Sequence, residues 1–410
     1  MRQNLRIDGA RLSSRLQQLG AVGALPSGGC CRLALTDEDK AGRDLVVGWM
    51  RELGLAVSID AVGNVTGLRK GTQDGPPVMI GSHIDTVATG GIYDGCLGVL
   101  AGLEVLETLN DAEITTKRPV AVTFFTDEEG SRFQPDMLGS LVYAGGLKLD
   151  EALATVAIDG AKLGDELARI GYAGPAAVGK PDLHAYVELH IEQGPILDAE
   201  GFTIGAVEGV QGISWTEFTL RGQSNHAGTT PMRLRHDAGF VAASIATFAR
   251  RIAKDIGGYQ VATVGALNLS PNLVNVVAEQ AVMTVDLRNT DEVQLQAAEH
   301  RLFAFAEEAA AEEGVTLTRR SLARFKPTPF APHLVSRVEA IAKDFGLPVK
   351  RLPSGAGHDA QIMASVCPAC MIFVPSEKGI SHNITEYTKP DDLAAGANVL
   401  LRLVLELAEG

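Results

Sequence analysis

Continuous apolar runs and amphipathic stretches alternate over most of the chain. Two runs, at 77–80 and 119–125, are almost continuously apolar, and the segments at 185–189 and 371–374 look like further strands. Such runs are typical of strands that are covered on both faces, as in a mostly parallel sheet. Apolar positions at helical spacing predict helices at 97–109 and 391–407. The pattern therefore predicts an α/β fold.

The middle of the chain has a different pattern. Residues 215–220 alternate between apolar and polar positions, and further strands are predicted at 261–267, 276–287 and 315–318. Helical patterns cover 236–256 and 291–313. Two helices and about four strands make an α+β sandwich of ordinary domain size. We expect it to be an inserted domain at 213–327, between the two parts, 1–212 and 328–410, of a discontinuous larger domain.

Composition narrows the classes of function. The 410 residues include 36 Lys+Arg and 50 Asp+Glu, a formal net charge of −14, and 46% are hydrophobic. An acidic surplus disfavours nucleic acid as a partner, because phosphate binding needs clustered basic residues. The first residues lack the apolar run of a signal peptide. The longest uncharged stretch, 256–278, contains several polar residues and a proline, so no membrane span is expected.

Cysteine usage indicates a reducing compartment. Five cysteines form an odd, sparse set, unlike a secreted disulfide framework. Cys367 and Cys370 are spaced as C-x-x-C, but an apolar, strand-like run follows them instead of a helix, and no second pair is present for zinc. We interpret them as two small buried residues before a strand. A cytoplasmic protein is the simplest interpretation.

Histidines and carboxylates follow the predicted buried strands. In open α/β sheets ligands bind beyond the carboxyl ends of strands, so these side chains are expected to converge. Imidazole and carboxylate ligands suit Zn²⁺, Mn²⁺ or Co²⁺. There are more of them than one tetrahedral ion needs, which favours two ions that share a carboxylate. The residues are His83, Asp94, Glu128, Glu129, His190 and His382.

Adjacent residues at a strand end point in different directions. In the pair Glu128-Glu129, one carboxylate can therefore bind a metal while the other acts as a general base toward water. Each of these residues alone is ordinary in a surface turn or a core, and the joint pattern carries the prediction. The chain has no G-x-S-x-G elbow, no phosphate-binding G-x-x-x-x-G-K-[ST] loop and no G-x-G-x-x-G at a strand–helix junction.

Short segments of the chain carry further information. GSHIDT at 81–86, DG at 94–95, TDEEG at 126–130 and the late His382 resemble the M20 family of dinuclear metallopeptidases and amidohydrolases. HIEQGP at 190–195, NHAGTTPM at 225–232 and GHDA at 357–360 are more specific and resemble its hydantoinase/carbamoylase amidase branch. That branch includes N-carbamoyl-L-amino acid hydrolases, β-ureidopropionases and allantoate amidohydrolases. The similarity extends over about residues 10 to 405.

The resemblance implies a role for each matching position. His83 and His190 would each bind one metal terminally, Asp94 would bridge, and Glu129 and His382 would complete the set of ligands to two divalent ions, Zn, Mn, Co or Ni. Glu128 would be the general base and acid, and the Asp85 carboxylate would orient His83. From the inserted domain, His226 would stabilise the oxyanion. The substrate-binding residues would be Gln193, His226, Asn275 and Arg288.

Structural alternatives remain for the inserted domain. His226 could simply cap a loop, and Arg288 could be a strand-edge charge paired with Asp286. A guanidinium fork nevertheless suits a substrate carboxylate better than a lysine would. His358 and Asp359 are expected to support the site without binding metal. In relatives the inserted domain is a lid and a dimer interface, which implies a homodimer whose lid residues can serve the partner subunit.

The sequence therefore predicts a metal-dependent amidohydrolase. Its expected substrate is a small anionic ureido compound, an N-carbamoyl-L-amino acid or N-carbamoyl-β-alanine, with allantoate as the alternative. A non-catalytic binding relative would be expected to lack one or more of the ligand residues. Dipeptidase or aminoacylase activity belongs to sister branches and is disfavoured by the segments at 190–195 and 225–232.

Overall fold

The computed structural model describes residues 4–179 and 181–410. They form two compact units. The larger one comprises the described residues up to Gly209 together with Pro329–Gly410, and the smaller one is Val210–Thr328. No helix in the described part of the chain is both long and apolar enough to cross a membrane.

Helices and strands alternate along the chain. The helices are α1 (Gly9–Gly20), α2 (Asp37–Glu52), α3 (Cys96–Asp111), α4 (Leu138–Ala144), α5 (Leu149–Leu153), α6 (Leu163–Ile170), α7 (Ile196–Glu200), α8 (Ala238–Ile256), α9 (Glu292–Glu313), α10 (Pro332–Asp344), α11 (Asp359–Met363) and α12 (Pro390–Glu409). The strands are β1 (Ala56–Ile59), β2 (Val65–Arg69), β3 (Val78–His83), β4 (Val120–Phe125), β5 (Ala185–Ile191), β6 (Ile204–Val210), β7 (Gly212–Arg221), β8 (Asn225–His226), β9 (Val261–Ser270), β10 (Val276–Val277), β11 (Gln280–Asn289), β12 (Thr316–Phe325), β13 (Thr328–Pro329), β14 (Val349–Ser354) and β15 (Ala369–Val374).

A nine-stranded sheet is the centre of the larger unit. Its order is β1-β2-β4-β3-β5-β15-β6-β13, and β14 pairs with β6. The four central strands β4, β3, β5 and β15 are parallel, whereas β2 and β6 pair antiparallel on either side of them. Every residue of these four strands is buried. The predicted α/β fold is confirmed, and the four segments predicted as buried strands lie in these central strands.

Helix α3 illustrates how the sheet is covered. Most of its residues are apolar and buried, because the helix packs on β3 and is itself covered by α1 and α12. It begins directly after Gly95, whose φ of 64° lies in the left-handed region that favours glycine. The turn before α3 can therefore double back over the end of β3, and it carries Asp94.

The smaller unit is an antiparallel sheet with two helices. Its strand order is β12-β7-β11-β9, and buried residues from β7, β11, α8 and α9 form its core. Burial alternates along β11, as expected for a strand with one covered face. A two-stranded ribbon, β8 with β10, carries the segments that contain His226 and Asn275.

The single strand predicted at 276–287 is wrong. The structure has two strands there, because the chain changes partners: β10 pairs with β8, and β11 pairs with β7 and β9. At the junction the Ala278 carbonyl accepts the Ala238 N–H, and the Glu279 N–H donates to the Ser270 carbonyl. Apolar periodicity is similar on both sides of this junction, so it gave no signal of the change.

All five cysteines are free. Cys367 is 8% exposed and Cys370 is fully buried in β15. Burial raises the pKa of each of these two thiols to about 12. They are inert core residues at neutral pH, which agrees with the interpretation made from the sequence.

Candidate metal centre

The carboxyl ends of the parallel strands bring the candidate residues together. His83 is the last residue of β3, and His190 is the penultimate residue of β5. Glu128 and Glu129 follow β4 after a turn in which Asp127 has a φ of 57°. Because parallel strands end at one edge of a sheet, these four side chains share that edge.

Three buried residues form a first cluster able to hold a metal ion: His83, Asp94 and His190. Nε2 of His190 lies 3.2 Å from Oδ1 of Asp94, and Nε2 of His83 lies 3.7 Å from the same oxygen. Both imidazoles therefore face one carboxylate oxygen. This differs from the expectation that the two histidines bind separate ions.

The other oxygen of Asp94 belongs to a second cluster, with Glu129 and His382. Nε2 of His382 lies 3.3 Å from Oδ2 of Asp94 and 3.4 Å from Oε2 of Glu129. The His382 side chain is half exposed, in contrast to the residues of the first cluster. Asp94 is thus shared by a buried cluster and a more exposed one, the arrangement required of a bridging ligand.

Backbone carbonyls set the orientation of both buried imidazoles. Nδ1 of His83 lies 2.9 Å from the Asp85 carbonyl, and Nδ1 of His190 lies 2.8 Å from the Ile191 carbonyl. A proton on Nδ1 would donate to the carbonyl and leave the Nε2 lone pair for a metal. Burial lowers the pKa of His83 to about 4, so this ring is neutral at pH 7.

The Asp85 carboxylate does not contact His83 as expected. Its nearest carboxylate oxygen lies 3.9 Å from Nδ1 of His83, beyond hydrogen-bonding distance. The carboxylate oxygens instead accept the backbone N–H groups of Glu128 and Glu129, each at 3.3 Å. Asp85 orients His83 through its carbonyl and fixes the backbone of the two glutamates through its side chain.

Glu128 faces the buried cluster without being part of it. Its Oε2 lies 3.3 Å from Nε2 of His83. Burial raises the pKa of Glu128 well above its usual range, and the nearby carboxylates of Asp359 and Glu129 add to the effect. A carboxyl group with a raised pKa can both accept and return a proton near neutral pH.

A cavity of about 120 Å³ opens onto these residues. Of the described residues that line it, none is a lysine or an arginine, although four are carboxylic acids. Several acids in one pocket repel one another unless a cation lies between them. The donor set therefore fits divalent metal ions. The lining residues are His83, Asp94, Glu128, Glu129, Asp136, His190, Gln193, Ala356, Gly357, His358 and His382.

Gln193 and His358 complete the wall of this cavity. The Gln193 amide donates to Oδ2 of Asp94 at 2.8 Å. The His358 ring lies 4.6 Å from that of His190, and its Nε2 is 2.8 Å from the Ser354 hydroxyl. His358 also forms a group with Glu188 and His190 that could hold an ion, but this group would share His190 with the first cluster.

Glu188 was missed by sequence reasoning. Fully buried in β5, it accepts hydrogen bonds from the Ser82 hydroxyl at 2.7 Å and from the Ala360 N–H at 2.8 Å. It therefore ties the residue before His83 to the segment that follows His358. Its only sequence signal is a charged residue inside an otherwise apolar strand, two positions before His190.

In the smaller unit, the β8–β10 ribbon brings His226 close to Asn275. The Asn275 carbonyl accepts the Ala227 N–H at 2.9 Å. Nδ1 of the exposed His226 accepts the N–H groups of Gly228 at 3.1 Å and Thr229 at 3.2 Å. The neutral ring must then carry its proton on Nε2, so His226 both caps its loop and presents an N–H donor.

Arg288 lies on β11, an interior strand of its sheet. The part of the structural alternative that placed it at an edge was therefore wrong. The pairing with Asp286 is present: Nε and Nη2 of Arg288 donate to the Asp286 carboxylate at 2.9 to 3.2 Å. The guanidinium also lies 5.8 Å from the Trp215 ring centre. Arg288 is held in a fixed orientation while about a quarter of its side chain stays exposed.

Comparison with known proteins assigns the chain to a family. The model of Peptidase family M20/M25/M40 matches residues 79–406. The chain belongs to this family. Its members are metal-dependent hydrolases, in agreement with the two clusters around Asp94.

Several relatives match this M20 chain over nearly its whole length. It is 43% identical to an N-carbamoyl-L-amino-acid amidohydrolase of Rhizobium meliloti, covering 99% of this chain and 98% of that protein. It is 42% identical to an N-carbamoyl-L-amino acid amidohydrolase of Geobacillus stearothermophilus, covering 98% and 100%. The crystal structure of a hydantoinase/carbamoylase family amidase from Burkholderia multivorans is 46% identical, with a TM-score of 0.97 and 98% of each chain covered. The resemblance inferred from the motifs is confirmed.

Proposed function

We propose that this M20 enzyme hydrolyses the terminal ureido amide of an N-carbamoyl amino acid. Water adds to the ureido carbonyl, ammonia leaves, and the remaining carbamate loses CO₂ to release the free amino acid. The two carbamoylases that cover the chain almost end to end favour this substrate class. Metal-dependent hydrolysis is supported above all by one observation: two ligand clusters beside Glu128 share the carboxylate of Asp94.

His83, Asp94 and His190 would hold one divalent ion, and Asp94, Glu129 and His382 a second. Two such ions would lower the pKa of a water molecule and polarise the ureido carbonyl. Imidazole and carboxylate ligands accept Zn²⁺, Mn²⁺, Co²⁺ or Ni²⁺, so the choice among them follows from metal supply as much as from the ligands.

Glu128 carries the proton in this mechanism. Its carboxylate takes a proton from the attacking water and returns it to the nitrogen of the departing ammonia. The backbone N–H bonds to Asp85 hold the segment that carries Glu128 in place. Burial and the nearby carboxylates raise the pKa of Glu128, which is the direction favourable for a group that takes and then returns a proton.

His226 would stabilise the charge on the tetrahedral oxygen. Because Nδ1 already accepts two backbone N–H groups, Nε2–H is the free donor of this ring. One well-placed oxyanion donor typically contributes ~3–4 kcal/mol to the transition state. The smaller unit would then act as a lid that supplies this donor to a site on the larger unit.

The substrate carboxylate would be held by the smaller unit as well. Arg288, oriented by Asp286, offers a planar fork to a carboxylate, and Asn275 would assist it. Gln193, which already contacts Asp94, would bind the substrate near the reacting amide. We further propose that the enzyme is a cytoplasmic homodimer that pairs through the smaller unit.

A substrate panel tests the proposal. Enzyme loaded with Mn²⁺, Co²⁺ or Zn²⁺ is assayed for ammonia release from N-carbamoyl-L-α-amino acids, N-carbamoyl-β-alanine and allantoate, and for cleavage of dipeptides. We expect N-carbamoyl amino acids to give the highest kcat/KM. Cleavage of dipeptides or of allantoate with a higher kcat/KM than that of N-carbamoyl amino acids would show that the proposed substrate is wrong.

Metal analysis distinguishes an enzyme from a binding module. Dialysis against a chelator is expected to remove both ions and the activity together, and added divalent metal is expected to restore it. A protein that binds no transition metal and cleaves no member of the panel would be a non-catalytic relative.

A further inference from the structure

Glu386 is a buried carboxylate next to the metal centre but outside both clusters. It is 6% exposed and lies between β15 and α12. Its Oε1 accepts the backbone N–H groups of Tyr93 and Asp94, each at 3.2 Å. One side chain from the end of the chain therefore fixes the turn that presents the shared carboxylate.

The second oxygen of Glu386 reaches the segment that carries His382. Oε2 accepts the hydroxyl of Ser381 at 3.0 Å, and the same hydroxyl lies 3.2 Å from Oδ2 of Asp94. Directly after His382, the Glu386 N–H donates to the Asn383 carbonyl and closes a turn at 383–386. Glu386 thus contacts the two segments whose side chains meet at 3.3 Å in the exposed cluster.

His382 depends on such a contact more than the other ligands do. His83 and His190 lie in central strands of the sheet, where neighbouring strands fix the backbone. His382 lies outside any strand or helix, has a φ of 52° and is half exposed. Its position relative to Asp94 must therefore come from local hydrogen bonds.

Packing around Glu386 is tight on both sides. A Cβ at Gly91 would overlap the Glu386 side chain, so glycine is the residue that fits there. The rings of Tyr93 and Tyr387 meet edge to face with centres 6.2 Å apart. The two segments are thus packed against each other next to the glutamate.

We propose that Glu386 is a positioning residue that sets the affinity of the exposed ion, the one between Asp94, Glu129 and His382. The inference rests on the two-ion site of the proposed function, and it does not depend on which substrate is cleaved. Without Glu386, Asp94 and His382 lose their common anchor, whereas the buried pair His83 and His190 keeps its strand framework. The buried ion keeps two of its three ligands, His83 and His190, on strands and should lose less affinity than the exposed ion. We call the buried ion the first and the exposed ion the second.

Metal binding alone tests this role. Metal-free enzyme is titrated with Co²⁺ by calorimetry and by visible absorption, in wild type, Glu386→Ala and Glu386→Gln. In Glu386→Ala we expect the second Co²⁺ to bind about 10–100-fold more weakly, the usual effect of removing a side chain that orients a ligand. The Kd of the first ion should change much less.

Glu386→Gln separates position from charge. Its amide oxygen can still accept the two backbone N–H groups, and its NH₂ can donate to the Ser381 oxygen. We expect its second Co²⁺ to bind within about threefold of wild type, because the hydrogen-bonding geometry is kept. A loss as large in Glu386→Gln as in Glu386→Ala would overturn the positioning role and indicate charge instead.

Asp60→Ala is the matched control for a general loss of stability. Asp60 is also a buried carboxylate that accepts backbone N–H groups, those of Val62 and Asn64, in a loop of the same unit. This variant should lower Tm and leave both Co²⁺ affinities unchanged. If Glu386→Ala does not fold, Ser381→Ala takes its place and should weaken only the second ion.

Two results would contradict the inference in different ways. Two Co²⁺ ions bound with wild-type affinities in Glu386→Ala would remove the role of Glu386 and leave the two-ion site standing. A wild-type enzyme that binds a single Co²⁺ would remove the two-ion site, and the role of Glu386 with it. Either result is independent of ammonia release from ureido substrates.

Discussion

Oε2 of Glu128 lies 3.3 Å from Nε2 of His83, at the edge of the buried cluster. A carboxylate in this position is close enough to the ligands to reach a water molecule bound among them. In the proposed mechanism Glu128 takes a proton and later returns it. A neutral amide of the same shape cannot perform this role.

Glu128→Gln is therefore expected to lower kcat by about 10²–10⁴, the range typical of a lost general base. Metal content, measured by elemental analysis, should match wild type, because Glu128 belongs to neither ligand cluster. Glu128→Asp, which keeps a shorter carboxylate, should retain intermediate activity. Wild-type kcat in the glutamine variant would exclude Glu128 as the base.

The sequence could predict that the candidate ligand residues lie close together, because the fold places them at one edge of the sheet. His83 and His190 end or nearly end continuous apolar runs, and such runs are central parallel strands whose carboxyl ends meet. Asp94 follows a glycine-rich turn close to the first of these strands. Local pattern and general topology together were enough to group these three residues.

Other features depended on contacts that no local pattern records. Glu386 acts on Asp94 from the other end of the chain, and the Asp85 carbonyl takes the part expected of its carboxylate. Which atom of a residue makes a contact depends on backbone dihedrals fixed by tertiary packing. The change of strand partner at Ala278 escaped for the same reason, since apolar spacing does not state which strand lies beside which.

Gly95→Ala should disrupt the metal centre through a single methyl group. A Cβ at this position would overlap the His83 ring, and the φ of 64° is unfavourable for alanine. We expect the variant to bind less than one ion per chain, by elemental analysis, and to lose activity. The ring of His83 would have to move away from Asp94 to make room.

Gly160→Ala controls for backbone strain alone. Gly160 has a φ of 88°, but nothing lies within 4 Å of a Cβ placed there. Alanine should cost about 1–2 kcal/mol of stability there, the usual penalty of a left-handed conformation, with normal metal content. Equal metal loss in both variants would show that the His83 overlap is not the cause.

Arg288 is expected to determine KM more than kcat. Arg288→Ala should raise KM for an N-carbamoyl amino acid about 10–100-fold, because a charge-assisted hydrogen bond contributes about 1.5–3 kcal/mol. The KM of Arg288→Lys should lie between those of wild type and Arg288→Ala, since a lysine keeps the charge but loses the planar fork. Arg320→Ala is the control, an exposed arginine of the same sheet that pairs with Glu217. Unchanged KM in Arg288→Ala would mean that another group binds the carboxylate.

The buried ion pair of Asp39 and Arg43 is expected to contribute strongly to stability. Both side chains are fully buried on α2, and Nε of Arg43 donates to Oδ2 of Asp39 at 2.7 Å. Asp39→Ala leaves the Arg43 charge without its carboxylate, which should cost about 3–5 kcal/mol in the free energy of unfolding. Lys40→Ala, which removes the neighbouring exposed pair with Asp44, should cost less than about 1 kcal/mol. Urea denaturation of the metal-loaded enzyme measures both, and similar losses in the two variants would contradict the assigned importance of burial.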